Sequence, residues 1–121
     1  MAGTISANVS ITVQNGDLND TQNMQATGLT QTTQGKAGGI QNVATSYEAL
    51  SVGDVATNGW ILLKNLDATN YVEVGREVSS AFYGVVRIEA GEVALFRLSQ
   101  ASIFVQANTA TVKLQYSLYE D

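Results

Sequence analysis

The chain has 121 residues, 45% of them hydrophobic, enough for one buried core, but only 14% charged, well below the usual quarter. With no cysteine and no histidine, disulfides, thiolate metal sites and the commonest general base near neutral pH are excluded. The formal charge is −5, and the six basic residues (Lys36, Lys64, Arg76, Arg87, Arg97, Lys113) read as scattered, so no phosphate-binding footprint and no direct nucleic-acid partner are expected.

In chain order, TISANVSITV (4–13) alternates Ile5, Ala7, Val9, Ile11 and Val13 against mostly Ser, Asn and Thr, the pattern of a half-buried strand. It stops at Asn15-Gly16, a turn signal. Residues 14–42 are different in kind: 20 of 29 are Gln, Asn, Thr or Gly, and Leu18, Met24, Leu29 and Ile40 are the only large apolar side chains. Four such side chains cannot offset the ordering entropy of the whole stretch. A long loop with one or two polar edge strands, or an intersubunit arm, is expected there, within a single domain spanning residues 1–121.

QNVATSYEAL (41–50) is divided between helix and strand. After an Asn58-Gly59 turn signal, GWILLKNL (59–66) reads as a buried strand, and YVEVG (71–75) sets Val72 and Val74 against Tyr71 and Glu73. AFYGVVRIEA (81–90) and EVALFRLS (92–99) flank Ala90-Gly91 like the arms of a hairpin. SIFVQA (102–107), a turn at ANTA (107–110) and TVKLQYSLY (111–119) complete the pattern, the last with Val112, Leu114, Tyr116 and Leu118 on one face. Eight or nine short strands at roughly ten-residue spacing, with no proline, predict an all-β antiparallel sandwich, jelly roll or barrel.

No stretch carries a recognisable reaction. Serines have no histidine partner and no G-x-S-x-G elbow, GKAGG (35–39) lacks the strand and helix of a P-loop, and Glu89 and Glu92 bracket an exposed turn. In NLDATNYVEVG (65–75), Asp67 and Asn70 sit where the chain reverses between strands. Their side chains suit such a corner because they bond nearby backbone N–H groups. Asp67, Asn70 and Glu73 match no calcium-loop spacing. No catalytic residue, metal or cofactor is therefore expected, and the chain reads as a non-enzyme. Under the alternation Tyr71, Tyr83 and Tyr119 can lie on outward faces; with Asp67 and Asn70 they are the candidate interface or ligand-contact residues.

No apolar run approaches the roughly 20 residues that span a bilayer, and MAGTISANVS lacks the basic start and apolar core of a secretory signal. A soluble, cytoplasmically made protein with no membrane partner is expected. GWILLKNLDATNYVEVG, IEAGEVALFRLS and ANTATVKLQYSLYED together resemble small structural proteins of tailed-bacteriophage virions, over residues 59–121. The resemblance implies a capsid decoration (cement) protein located in the virion, with the major capsid protein and its own copies as partners, a trimer favoured. A neck, tail or fibre-attachment component, or a carbohydrate-binding module of a phage adhesin, are the alternative roles.

Overall fold

The computed structural model describes residues 3–121, which contain ten β-strands and no helix. They fall into two compact units, one ending at Thr33 and the other spanning Gln34–Asp121.

The first unit is a hairpin of two long strands, β1 (Gly3–Asn15) and β2 (Leu18–Gln31). A two-residue loop joins them, with Gly16 at φ 57° in its first position, the conformation that a primed turn requires and that glycine adopts without steric cost. Register gives the hairpin two unlike faces. Ile5, Ala7, Val9 and Ile11 lie opposite Leu29, Ala26, Met24 and Gln22, whereas Asn8, Ser10 and Thr12 lie opposite Gln25, Asn23 and Thr21. Most of the stretch expected to be a loop is thus strand. Its period-2 signal is hidden for two reasons: Asp20 and Gln22 occupy positions on the apolar face, and a bulge beside Ile5/Ala7, with Gly28 at φ 68°, shifts the phase by one residue.

The second unit holds eight strands: β3 (Lys36–Val43), β4 (Glu48–Ala49), β5 (Asn58–Asn65), β6 (Val72–Val78), β7 (Ala81–Ile88), β8 (Val93–Arg97), β9 (Phe104–Ala107) and β10 (Val112–Glu120). They form two four-stranded sheets, in the orders β3-β10-β5-β8 and β4-β9-β6-β7, with every ladder antiparallel. The pairs β3–β10, β4–β9, β5–β8 and β6–β7 are those of one long hairpin. The added ladders β10–β5 and β9–β6 roll that hairpin into two sheets, the strand order of a jelly roll. Inward side chains of both sheets join one buried cluster, with Ile61, Leu63, Leu114 and Leu118 from one and Val72, Val74, Ile88 and Val105 from the other. This sandwich-like unit keeps the predicted alternation of β10.

Three local readings are corrected. Asn58-Gly59 is no turn: Asn58 opens β5, is buried, and its amide donates to the carbonyls of Gln100 and Ala101 at 3.0 and 3.1 Å. β7 and β8 are not hairpin partners, because the Ala90-Gly91 turn carries the chain from one sheet to the other. The tight hairpin is instead β6–β7, turning on Ser79 and Ser80, both at positive φ. In residues 41–50, β3 ends at Val43 and β4 is only Glu48–Ala49.

Candidate functional site

The corner between β5 and β6 is organised by Asn65, the last residue of β5, which is fully buried. Its Nδ2 donates to the carbonyls of Asn70 (2.9 Å) and Ile88 (3.0 Å), and its Oδ1 accepts from the backbone N–H of Asp67 at 2.8 Å. The Asp67 carboxylate in turn accepts from the N–H groups of Asn70 (2.6 Å) and Thr69 (2.9 Å). Those N–H groups, Asn70 foremost, favour the ionised form and hold Asp67 below the ordinary carboxylate range. Asn70 Oδ1 accepts from the Thr109 hydroxyl at 2.8 Å, and Asn108 N–H donates to the Tyr71 carbonyl, which ties this corner to the β9–β10 connection. The Asp67 carboxylate is therefore consumed in turning the chain, and the Asn70 side chain in fastening the corner to that connection.

Of the candidate residues, the fold brings Asp67, Asn70 and Tyr71 together and leaves the other two elsewhere. The Tyr71 ring has the Arg87 guanidinium 3.6 Å from its centroid, and Arg87 is also paired with Glu89 at 2.8 Å. One face of that ring is thus covered by a cation, a stacking that a sugar would have to displace. Tyr83 is exposed on β7 opposite Arg76, at the far end of the β6–β7 ladder from Tyr71. Tyr119 lies on β10 opposite Lys36, whose ammonium is 5.6 Å from the ring centroid.

The outward side of the β4-β9-β6-β7 sheet carries an aromatic group that nothing local in the sequence marks out. Tyr47 stacks on Phe82 (centroids 5.7 Å apart) and meets Phe104 edge-on. Its hydroxyl donates to Glu77 Oε2 at 2.8 Å, and that bond raises the Tyr47 pKa. A hollow of about 330 Å³ is lined by Val74, Val86, Phe96, Leu98 and Ile103 together with Arg76 and Arg97. Arg97 is already ion-paired with Asp121. Among the described residues, no group of three or more Asp and Glu side chains is placed to hold a metal ion.

A further surface feature is the outward face of the β3-β10-β5-β8 sheet. Register places Lys113, Gln115, Ser117 and Tyr119 of β10 on the side opposite the buried Val112, Leu114, Tyr116 and Leu118. Ile40 and Lys36 of β3 and Lys64 and Leu62 of β5 are register partners of that outward set. Val93 and Arg97 of β8 pair with Lys64 and Trp60. Four of the six basic residues, Lys36, Lys64, Arg97 and Lys113, are therefore gathered on one face with the exposed Ile40, Leu62 and Val93. The basic residues are not scattered in space. Each holds an outward parity position on a different strand, and only the topology reveals that these strands adjoin. No acidic residue occupies an outward position of these four strands; Glu120 of β10 is buried, where it accepts from Ala56 N–H at 2.8 Å.

No family model, curated protein or solved structure matches the chain. Among the described residues no helix is long and apolar enough to cross a membrane.

Proposed function

We propose that this chain is a non-enzymatic structural subunit of a tailed-bacteriophage virion, a capsid decoration protein that docks on the shell and associates with its own copies. The observation that carries the reading is the mixed basic and apolar face of the β3-β10-β5-β8 sheet, in a chain whose net charge is −5. Lys36, Lys64 and Lys113 complement an acidic surface and steer its approach, while Ile40, Leu62 and Val93 supply the contact that water surrenders on docking. Large apolar side chains between the lysines suit a protein surface better than a phosphate backbone, which offers them nothing to bury against. The resemblance of residues 59–121 to virion structural proteins, and a jelly-roll strand order that capsid domains also use, point the same way.

Purified protein added to shells lacking decoration is expected to bind them and raise their melting temperature. Binding should weaken as salt rises and fall at least tenfold in the Lys64→Glu, Lys113→Glu double variant. Shells that bind nothing at any ionic strength, or a protein that instead shifts duplex DNA, would overturn the proposal.

A further inference from the structure

β7 and β8 are end strands of their sheets, and the hollow of about 330 Å³ opens where residues of both border it. Its walls are Val74 and Val86 of one sheet and Phe96 of the other, with Leu98 and Ile103 from the connection after β8. All five belong to the buried cluster or pack against it, so the core reaches the surface here. One charge stands among them. Along β6 the alternation sets Arg76 on the side of the buried Val72 and Val74, and Glu73 and Glu77 on the other. β6 lies between β9 and β7, so Arg76 guards no open sheet edge. Among the described residues the ion pairs are Arg87–Glu89 and Arg97–Asp121, which leaves the Arg76 guanidinium without a carboxylate. No acidic residue lines the hollow, and Arg97 at its rim is already neutralised by Asp121.

From this arrangement we infer that the hollow binds a small carboxylate with an apolar body, of the class of a medium-chain fatty acid, its carboxylate on Arg76 and its chain against Phe96, Leu98 and Ile103. Charge selects the head: a guanidinium takes a carboxylate through two parallel hydrogen bonds, and one uncommitted cation matches one negative charge. Volume selects the body. About 330 Å³ is at the small end of the roughly 300–1,000 Å³ of small-molecule sites, room for one short chain. An extended peptide added to either bordering strand is the competing occupant, and the edges disfavour it. β8 has only five residues, and β7 is interrupted where Val85 bulges between Gly84 and Val86, two features that blunt strand pairing. The site uses none of the lysines of the docking face, so the failure of either proposal leaves the other standing.

Calorimetric titration of the full chain with straight-chain carboxylates is the test, with octanamide as the uncharged match to octanoate. Octanoate is expected to saturate at one per chain and to bind at least tenfold tighter than octanamide. Shorter carboxylates should weaken by about fourfold for each methylene removed. Arg76→Gln should weaken octanoate at least tenfold and leave octanamide unchanged, and Arg76→Lys should recover part of the loss. Amide chemical-shift changes on adding octanoate should cluster at Val74, Val86, Phe96 and Leu98. No saturable binding of any carboxylate, an equal loss of acid and amide in Arg76→Gln, or shifts confined to the exposed apolar residues of the β1–β2 hairpin would overturn the inference.

Discussion

Asn65 joins two parts of the second unit that are distant in sequence. It is fully buried and serves three backbone partners, at Asp67, Asn70 and Ile88, so the β5–β6 corner and the end of β7 are held by one amide. Asn65→Leu would keep the volume but strand those groups. Each stranded group costs on the order of 1 kcal/mol or more, so urea unfolding should register a loss of about 3 kcal/mol. A loss below about 1 kcal/mol would mean that water takes the place of the amide. Asp67 acts one step out, and here the sign matters. Its carboxyl is held below the ordinary value by the N–H groups of Asn70 and Thr69, so its contribution is present above that value and drains away as pH falls through the depressed one. Asp67→Asn keeps an acceptor oxygen without the titration. Between about pH 5 and pH 3 its melting temperature should therefore fall less than that of wild type; a steeper fall would contradict this account. The role of Asp67 was legible in the sequence because an Asx turn is local chemistry, whereas the Asn70 side chain is taken by Thr109, 39 positions away. Asn65 was not, because what distinguishes it is burial against Ile88, 23 positions away.

Among the elements, β6–β7 carries the clearest local conflict. Ser79 and Ser80 have φ of 51° and 62°, a pair of left-handed residues that Asn-Gly satisfies and serine tolerates poorly. Ser79→Asn with Ser80→Gly should stabilise the protein by about 1 kcal/mol, read as a higher urea midpoint at unchanged slope. A lower midpoint would mean that the serine side chains make contacts worth more than the strain. A second constraint lies nearby: a Cβ at Gly75 would overlap the carbonyl oxygen of Tyr83, so the ladder closes there only on glycine. These features explain the uneven legibility of the strands. β5, β10 and the start of β6 were readable because one face is buried and the alternation is clean, whereas β6 from Arg76 to Val78 is exposed on both faces. The β6–β7 turn went unread because Ser-Ser carries no turn signature, and β7–β8 was misread because Ala90-Gly91 carries one while the strands beside it belong to different sheets. β2 was obscured by polar residues on its apolar side and by the bulge at Gly28.

For the molecule as a whole, the legible part was the class and the illegible part was the adjacency. Short alternating strands announce an all-β chain. Nothing local says that β10 lies between β3 and β5, and without that the four cations of one sheet face look dispersed. The same placement of β10 governs how the second unit is made. A ribosome delivers β3 and β5 well before the strand that must fill the gap between them, so while synthesis is under way β3 finds no ladder in this sheet and β5 only the one with β8. Until then Leu63 and Val43 face water, and the nascent sheet presents open edges to any neighbouring chain. The β1–β2 ladder is local in sequence and waits for no later strand. Closure of the eight strands thus waits on the last of them, the kind of non-local pairing that folds slowly.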